Sequence, residues 1–533
     1  MRIALLAGIV LIAVAAAVVA ILITSSEAAP ATGAASLVPS DALAYVHLST
    51  DPTRPAVKQA QKLAATLPDF PLFSGQVMRR LGALAAGGSN VDFGRDIRPW
   101  LGNEAAIALR GGQTGPAGSL VVLDVRNPSK ARAFIGGAGA ASAGAYRGTN
   151  LYRYRSGTEL AFIRHYLVLG PPDSVQSAID AAAGRVQPLS ASHAYQRAAA
   201  DEPADRVLDA YAPPDGVRRL LAPRGGVIAA IGALLYQPAL TAVTVSLSPA
   251  SGGANVRVHS AFDPNVQATA SVSRTQFTPT LDKEMPSGST LLLDVTGLDR
   301  IAPRVLGAGA TGGVFSSLGP LLTRLGAALQ SEGVNVKSIE SLFDGETAVA
   351  IGPATKSRSN GSTGSPPLII VTRTSDEGAT KTKLANLEVP LSQLFPAPSS
   401  GSGQVPQFSD ELIDGVTAHQ LSLAPGLQLD YAVFRGLVVI STSLNGIGAV
   451  ASHARALSDQ PSYSAALASR PDRVSSLVFL DFSQLLSLAE QTGLFRGTIY
   501  RLLRPDLEKI RAVGLTSTRE EADSTAELFL QIP

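Results

Sequence analysis

The sequence predicts an α+β protein: an N-terminal transmembrane helix followed by two tandem, similar units built mainly on antiparallel sheets. An uncharged apolar stretch opens the chain, a long segment recurs in order, and the expected strands follow one another as hairpins rather than alternating with helices. We divide the 533 residues into a transmembrane anchor (1–24), a flexible linker (25–36), repeat one (37–266), a connector (267–283) and repeat two (284–533).

The composition is that of a chain able to bury large cores. Hydrophobic residues make up 45% and charged residues 16%, which excludes global disorder. Lysine and arginine number 44 against 42 acidic residues, and this balance of +2 provides no basis for a nucleic-acid surface. The chain has no cysteine, so disulfides, thiolate metal sites and a cysteine nucleophile are excluded.

The N-terminal segment has the length of a membrane span. Ile3–Ile23 carries no charge and follows Arg2. About 20 apolar residues cross a bilayer as a helix, whereas a signal-peptide core usually has about 7–15. We therefore expect an uncleaved single-pass anchor with the bulk of the chain extracytoplasmic. The alternative, cleavage after Ala28, produces a secreted protein. Gly225–Val245 is also uncharged, but Pro238 favours a buried helix, a turn and a strand there over a second span.

The internal repeat begins at a Pro-Ser turn. Val38–Ser40 (Val-Pro-Ser) recurs as Met285–Ser287 (Met-Pro-Ser), and each turn leads into an apolar strand, Ala42–Leu48 or Thr290–Val295. Helical segments come next in both copies, and then further strands in the same order. The parallel continues to the C-terminus, which predicts two units of one topology.

The later elements match in the same way. The strands predicted at Leu160–Leu169 and Leu429–Ser441 are each followed by a predicted helix, Asp173–Ala183 or Leu444–Leu457. A loop rich in small residues, Gly136–Ala145, precedes the first of these strands, and its counterpart precedes the second. Because both loops lack apolar periodicity, we expect them to be mobile.

The turn-and-strand motifs carry a family resemblance. At Val38–Ala42 and at Asp96–Gly102 (Asp-Ile-Arg-Pro-Trp-Leu-Gly), the chain resembles the domain-of-unknown-function 3352 family, which are anchored envelope proteins from high-GC bacteria. The likeness covers nearly everything after residue 36. Copy two departs from the motif, with Phe343–Gly345 where copy one has Trp100–Gly102. The resemblance implies an envelope location and no activity, cofactor or site residue.

Residue types that perform catalysis occur without the spacing that catalysis needs. No two histidines lie three or four residues apart, and there is no nucleophile elbow or P-loop. The dinucleotide-like run Gly307–Gly312 has no strand directly before it, which favours a loop. Asp201, Asp205 and Asp209 are spaced four apart, but Pro203 interrupts a helix there and Asp209 begins a predicted strand, which favours a solvated turn over a carboxylate site. We identify no catalytic, cofactor-binding or metal-binding residue, and we predict that the protein is not an enzyme. The histidines are His47, His165, His193, His259, His419 and His453.

The sequence therefore favours a binding or scaffolding module of the cell envelope, with the membrane and an envelope protein as partners. Two alternatives stay open. One is a carrier for an apolar ligand such as a lipid, held between the two copies or against the apolar segment Val227–Leu235. The other is a hydrolase whose histidine, serine and aspartate residues are assembled only in space.

Overall fold

The computed structural model describes residues 29–67, 93–111, 118–221, 239–263, 265, 276–297, 341–353, 366–393, 406–424, 427–491, 504–520 and 522–532. The first ten strands are β1 (Ala44–Ser49), β2 (Leu101–Arg110), β3 (Gly118–Val125), β4 (Ala141–Tyr146), β5 (Thr149–Arg153), β6 (Glu159–Ile163), β7 (Tyr166–Gly170), β8 (Leu208–Ala212), β9 (Leu240–Ala250) and β10 (Gly253–Phe262). The next ten are β11 (Leu291–Thr296), β12 (Glu346–Ile351), β13 (Leu368–Arg373), β14 (Phe408–Ile413), β15 (Val416–Ala424), β16 (Leu427–Phe434), β17 (Leu437–Ser441), β18 (Ser476–Asp481), β19 (Ala512–Arg519) and β20 (Asp523–Gln531).

Helices and short turns of helix connect these strands. The α-helices are α1 (Pro55–Thr66), α2 (Pro128–Gly137), α3 (Pro172–Ala182), α4 (His193–Ala199), α5 (Pro214–Leu221), α6 (Glu377–Gln393), α7 (Leu444–Ser452), α8 (Pro461–Ala466) and α9 (Phe482–Gln491). Short 3-10 helices occur at Gly33–Ser36, Leu189–Ala191, Leu281–Lys283, Ser341–Phe343 and Leu457–Asp459, and a π-turn at Phe93–Ile97.

Local sequence signals account for where several helices begin. At α2 the side chain of Asn127 accepts a hydrogen bond from the backbone N–H of Lys130 at 3.1 Å, and Pro128 occupies the first turn. At α3 Pro172 occupies the first turn and Asp173 places a negative charge at the positive end of the helix dipole. Proline costs nothing there because the first N–H groups of a helix have no partner inside it.

All pairings among the described strands are antiparallel, and both halves use the same strand order. In the first half the order across the sheet is β4-β5-β6-β7-β3-β2-β1-β8-β9-β10. In the second half it is β14-β15-β16-β17-β13-β12-β11-β18-β19-β20. The last strands of the two halves, β10 and β20, pair with each other, so the twenty strands make one continuous sheet.

The junction between β10 and β20 has two-fold symmetry. Because the two halves share one strand order and register, each residue of β10 has a counterpart on β20. Val258 corresponds to Leu528. Across the junction Val258 lies opposite Ala526, and Val256 lies opposite Leu528. A half-turn that exchanges the two halves also exchanges these two pairs of residues. The two-fold axis therefore passes through the residue pair that lies between them. Each half therefore meets the other as one subunit meets its partner in a symmetric dimer.

The repeated Pro-Ser turn makes the same contacts in each half. The backbone N–H of Leu189 donates to Val38 at 2.7 Å, and in the second half Leu457 donates to Met285 at 2.8 Å. All four side chains are fully buried. The turn thus attaches a 3-10 helix to the start of β1 or β11, which explains why this motif recurs.

Helices cover both faces of the sheet in the first half. On one face α3 and α4 pack on a core that includes Ala106, Val122 and Val168. On the other face α2 packs on Leu160 and Leu167, with Trp100 beneath it. The second half has a matching core under α7 and α8. Among the described residues its other face is thinner, because α6 buries Leu384 in a small cluster with Tyr431, Val433 and Val438 and adds only the partly buried Leu387.

The fold-class prediction was wrong. The sequence indicated two tandem α+β units behind a transmembrane helix, whereas the structure is mostly a single antiparallel sheet of twenty strands with some helices. No helix in the described ranges is long and apolar enough to cross a membrane. The expected anchor, 1–24, lies outside those ranges, and so does the apolar segment Val227–Leu235. The pairing of β10 with β20 was missed because it joins strands that lie far apart in the chain.

Three local predictions also need correction. Residues 33–36, expected in a flexible linker, form a 3-10 helix in which Ala34 and Ala35 are buried. Part of Gly136–Ala145, expected as a mobile loop, belongs to β4, where small residues are tolerated because the strand is exposed. The single strand predicted at Leu160–Leu169 is a hairpin, because Arg164 adopts a left-handed conformation with φ of 55° and turns the chain.

Candidate functional site

A buried charged network joins three strands of the first half. His47 on β1 lies between Asp209 on β8, with Nδ1 and Oδ1 2.9 Å apart, and Glu104 on β2, with Nε2 and Oε2 3.5 Å apart. Burial acts to lower the pKa of His47, but the two carboxylates outweigh it and raise the pKa to about 9. His47 is therefore a cation at neutral pH.

The neighbours of this network satisfy its carboxylates from every side. Arg206 donates to Asp209 at 3.0 Å, and the Tyr166 hydroxyl donates to Glu104 at 2.5 Å. Burial acts to raise the pKa of Glu104, but hydrogen bonds from His47 and Tyr166 lower it. Because these groups are buried and meet one another, the network pins β1, β2 and β8 together.

The equivalent place in the second half has different chemistry. The strand register makes Asp294 the counterpart of His47, and Glu346 the counterpart of Glu104. Burial, and after it the nearby charges of Glu346 and Asp282, raise the pKa of Asp294 to about 9. Asp294 is therefore protonated at neutral pH, and this cluster is a structural one like its counterpart.

One contact is common to both halves. Glu104 accepts a hydrogen bond from the backbone N–H of Ala34 at 3.2 Å, and Glu346 accepts one from Leu281 at 2.9 Å. Each acceptor thereby holds the 3-10 helix that precedes the Pro-Ser turn. The repeat consequently begins a few residues before position 37.

A groove opens on the thinner face of the second half. It lies between α6 and the hairpin of β15 and β16, and its volume is about 570 Å³. Apolar, hydroxyl and basic side chains share its walls. The lining residues are Lys381, Thr382, Ala385, Gly415, Val416, Thr417, His419, Tyr431, Val433 and Phe434.

His419 is held rigidly in the wall of the groove. Its Nδ1 lies 3.0 Å from Oε1 of Glu388 and 3.0 Å from Oδ1 of Asp410. Its ring stacks on Tyr431, with centroids 4.6 Å apart and planes 7° apart. The Tyr431 hydroxyl donates to Glu388 at 2.5 Å. Burial, and then this hydrogen bond, raise the pKa of Tyr431, so the phenol keeps its proton.

The equivalent strands of the first half carry packed side chains. Leu160, the counterpart of Tyr431, is fully buried, and the ring of Phe162, the counterpart of Val433, lies 6.4 Å from that of Tyr152. Both residues belong to a cluster with Trp100. Trp100 is 1% exposed, its ring lies 5.6 Å from that of Phe134, and Tyr154 is buried in the same cluster. In the second half the residue that enters from the preceding turn is Leu342, which is smaller and only partly buried. One fold thus carries a packed face in one copy and an open groove in the other.

One protein family matches almost the whole sequence. The family described as "Protein of unknown function (DUF3352)" matches residues 4–532 of this sequence. The chain belongs to the DUF3352 family. This confirms the resemblance seen at the Pro-Ser and Trp100 motifs. No curated protein matches the sequence.

Solved structures share only distant likeness with this DUF3352 chain. Crystal form IV of TP0453 is 13% identical, covers 43% of this chain and 83% of that chain, and has a TM-score of 0.25. Crystal form I is 12% identical, covers 48% and 90%, and has a TM-score of 0.26. Crystal form III is 12% identical, covers 47% and 84%, and has a TM-score of 0.26. TM-scores this low support no conclusion about the fold or the function of the DUF3352 chain.

The histidines of the DUF3352 chain are scattered, as their spacing indicates. His47 lies in a strand as expected, whereas His165 lies in the turn between β6 and β7 and has a mostly exposed side chain. His259 is buried near Thr525, and His453 follows α7 in a left-handed conformation. Among the described residues, no group of histidine, aspartate or glutamate side chains has the geometry to hold a metal ion.

Sequence reasoning missed the groove. His419 and Glu388 lie on different elements, and Asp410 lies on the edge strand next to His419, so no short spacing connects all three. Only a comparison of the two copies could have indicated the groove. Tyr431 and His419 occupy the positions that Leu160 and Tyr152 occupy in the first half. The loop Lys356–Ser365 and the run Gly307–Gly312 lie outside the described residues.

Proposed function

We propose that this protein is a ligand-binding module and that its groove in the second half takes the apolar body of a small ligand. The observation that carries the proposal is the difference between the halves. Leu160 and Phe162 are packed in the first half, whereas their counterparts Tyr431 and Val433 line an open groove of about 570 Å³ in the second. Protein sites for small ligands have volumes of about 300–1,000 Å³.

The walls of the groove suit an apolar chain. Val416, Val433 and Phe434 line it from the hairpin, and Ala385 lines it from α6. The two most exposed large apolar side chains in the described part of the molecule lie on elements that border the groove. These are Leu412 on β14, which is 78% exposed, and Val389 on α6, which is 65% exposed. Exposed apolar residues beside a concave site favour contact with an apolar partner.

Binding is favoured over catalysis by the side chains that line the groove. The described lining offers His419 as a base but no serine beside it, and its hydroxyls come from Thr382 and Thr417. The location outside the cytoplasm, expected from the start of the sequence, belongs to this proposal. Protease accessibility of the chain on intact cells of its host tests that part: cleavage is expected, and full protection would contradict it.

Filling the groove tests the binding site. A solvatochromic apolar dye should bind the full chain saturably, with one site per molecule. Ala385→Phe places a ring in the groove at an exposed helix position, and we expect it to weaken dye binding about tenfold or more without changing the melting temperature. Val186→Phe, at a partly exposed position in the first half, is the matched control. Absence of saturable binding to the wild-type chain would disprove the proposal.

A further inference from the structure

The described wall of the groove carries basic side chains but no acidic ones. The two basic side chains among the described lining residues are Lys381 and His419. We infer that the ligand carries an acidic head group, a carboxylate or a phosphate, seated against Lys381 and His419. This inference rests on the proposed function and adds the class of ligand.

The nearby carboxylates already bind residues of the wall. Glu388 and Asp410 both meet Nδ1 of His419, and Glu388 also accepts from Tyr431. Because Nδ1 is taken up in this way, Nε2 is the ring nitrogen left to meet a ligand. The carboxylates also hold the ring in one orientation, and it is the doubly protonated form of the ring that donates from Nε2 to an acid.

Lys381 has donor capacity beyond its ion pair. Its Nζ lies 3.7 Å from Glu377, one helical turn away, and the side chain is 58% exposed. Oε1 of Glu377 is already bound to the backbone N–H of Gly436 at 2.5 Å. An ammonium group has three N–H donors, so Lys381 can meet an anion and Glu377 together. Hydrogen bonds between charged groups are about twice as strong as neutral ones.

The stacked pair of His419 and Tyr431 belongs to the second half alone. The strand register places Tyr152 where the second half has His419, and Leu160 where it has Tyr431. Leu160 is fully buried in the packed face of the first half. The fold therefore does not require a histidine on a tyrosine at this place, and their presence in the open copy indicates ligand recognition.

Ligands that share one alkyl chain but differ in head group separate the contribution of the head group to binding from that of the alkyl chain. Equilibrium dialysis of the full chain would use lauric acid, lauryl phosphate and lauryl alcohol, each below its micelle concentration. We expect one or both acids to bind about tenfold more tightly than the alcohol, and the stronger of the two identifies the source of the acidic group. Equal affinity for acids and alcohol would overturn this inference while leaving the groove as an apolar site. Binding of none of the three would count against the proposed function itself.

Variants show whether the preference depends on the two bases. Lys381→Met and His419→Gln should each reduce the affinity for the acid about fivefold to tenfold and leave the affinity for lauryl alcohol unchanged. Lys383→Met is the matched control, since Lys383 is exposed on the same helix but does not line the groove. Circular dichroism melting confirms that the variants fold. A preference for acid that survives both substitutions would also overturn the inference.

Discussion

Arg257 and Glu527 lie directly opposite each other at the centre of the junction between the two halves, with Nε and Oε1 3.9 Å apart. The pairs on either side of them exchange under the two-fold axis, but this pair maps onto itself with unlike charges. A true homodimer would place identical residues here, and like charges opposite each other destabilise a sheet. A duplicated chain avoids this because its two copies have different sequences.

Charge reversal tests the junction. Both side chains are partly exposed, so we expect Arg257→Glu to lower the free energy of unfolding by about 0.5–1 kcal/mol through repulsion from Glu527. The double variant Arg257→Glu with Glu527→Arg should recover most of the loss. Urea denaturation of the wild type, the two single variants Arg257→Glu and Glu527→Arg, and the double variant measures the coupling. Equal stability of the single and double variants would show that the pair does not interact.

The His47 network predicts a specific pH dependence. The pKa of His47 rises from 6.5 to about 9 on folding, so the folded state holds a proton that the unfolded state releases. The stability due to His47 is therefore fully present below pH 6.5 and is lost as the pH rises to about 9. His47→Gln should remove this part of the slope and destabilise the protein by about 3–5 kcal/mol at pH 6, because a buried pair loses its cation.

Denaturation midpoints from pH 6 to 9 measure the difference between the wild type and His47→Gln. The matched control is His165→Gln, since the side chain of His165 is 62% exposed and lies in a turn. We expect the control to follow the wild type throughout. Parallel curves for wild type and His47→Gln would show that His47 does not bind a proton on folding.

We expect the substitution Asp294→Asn to raise the free energy of unfolding. The pKa of Asp294 rises from 3.8 to about 9 on folding, so the unfolded state is favoured by ionisation as the pH rises through this range. Asp294→Asn keeps the shape of the protonated acid and removes that penalty, and we expect the variant to be more stable by at least about 1 kcal/mol at pH 7. The gain should shrink towards pH 4. Thermal denaturation at the two pH values measures it, with the exposed Asp344→Asn as control. A loss of stability at pH 7 would mean that Asp294 is ionised in the fold.

Much of the local structure was predictable from periodicity and turn chemistry. The strand expected at Ala42–Leu48 is found at Ala44–Ser49, and the helix expected at Asp173–Ala183 is found at Pro172–Ala182. These elements were predictable because the alternation of apolar residues and the position of a proline act over a few residues. The hairpin turns at Arg164 and Arg435 were missed, because a left-handed arginine leaves no mark in a run of apolar residues.

By itself the sequence determined the duplication, the order of most strands and helices, and the family, because these depend on neighbouring residues and on a pattern that recurs. The tertiary structure alone decided that β10 pairs with β20, that the halves share one sheet, and that α6 leaves a groove beside β15 and β16 whereas α2 packs on Leu160. The physical reason is that register between distant strands, and the fit of a helix on a sheet, depend on the summed packing of residues far apart in the chain.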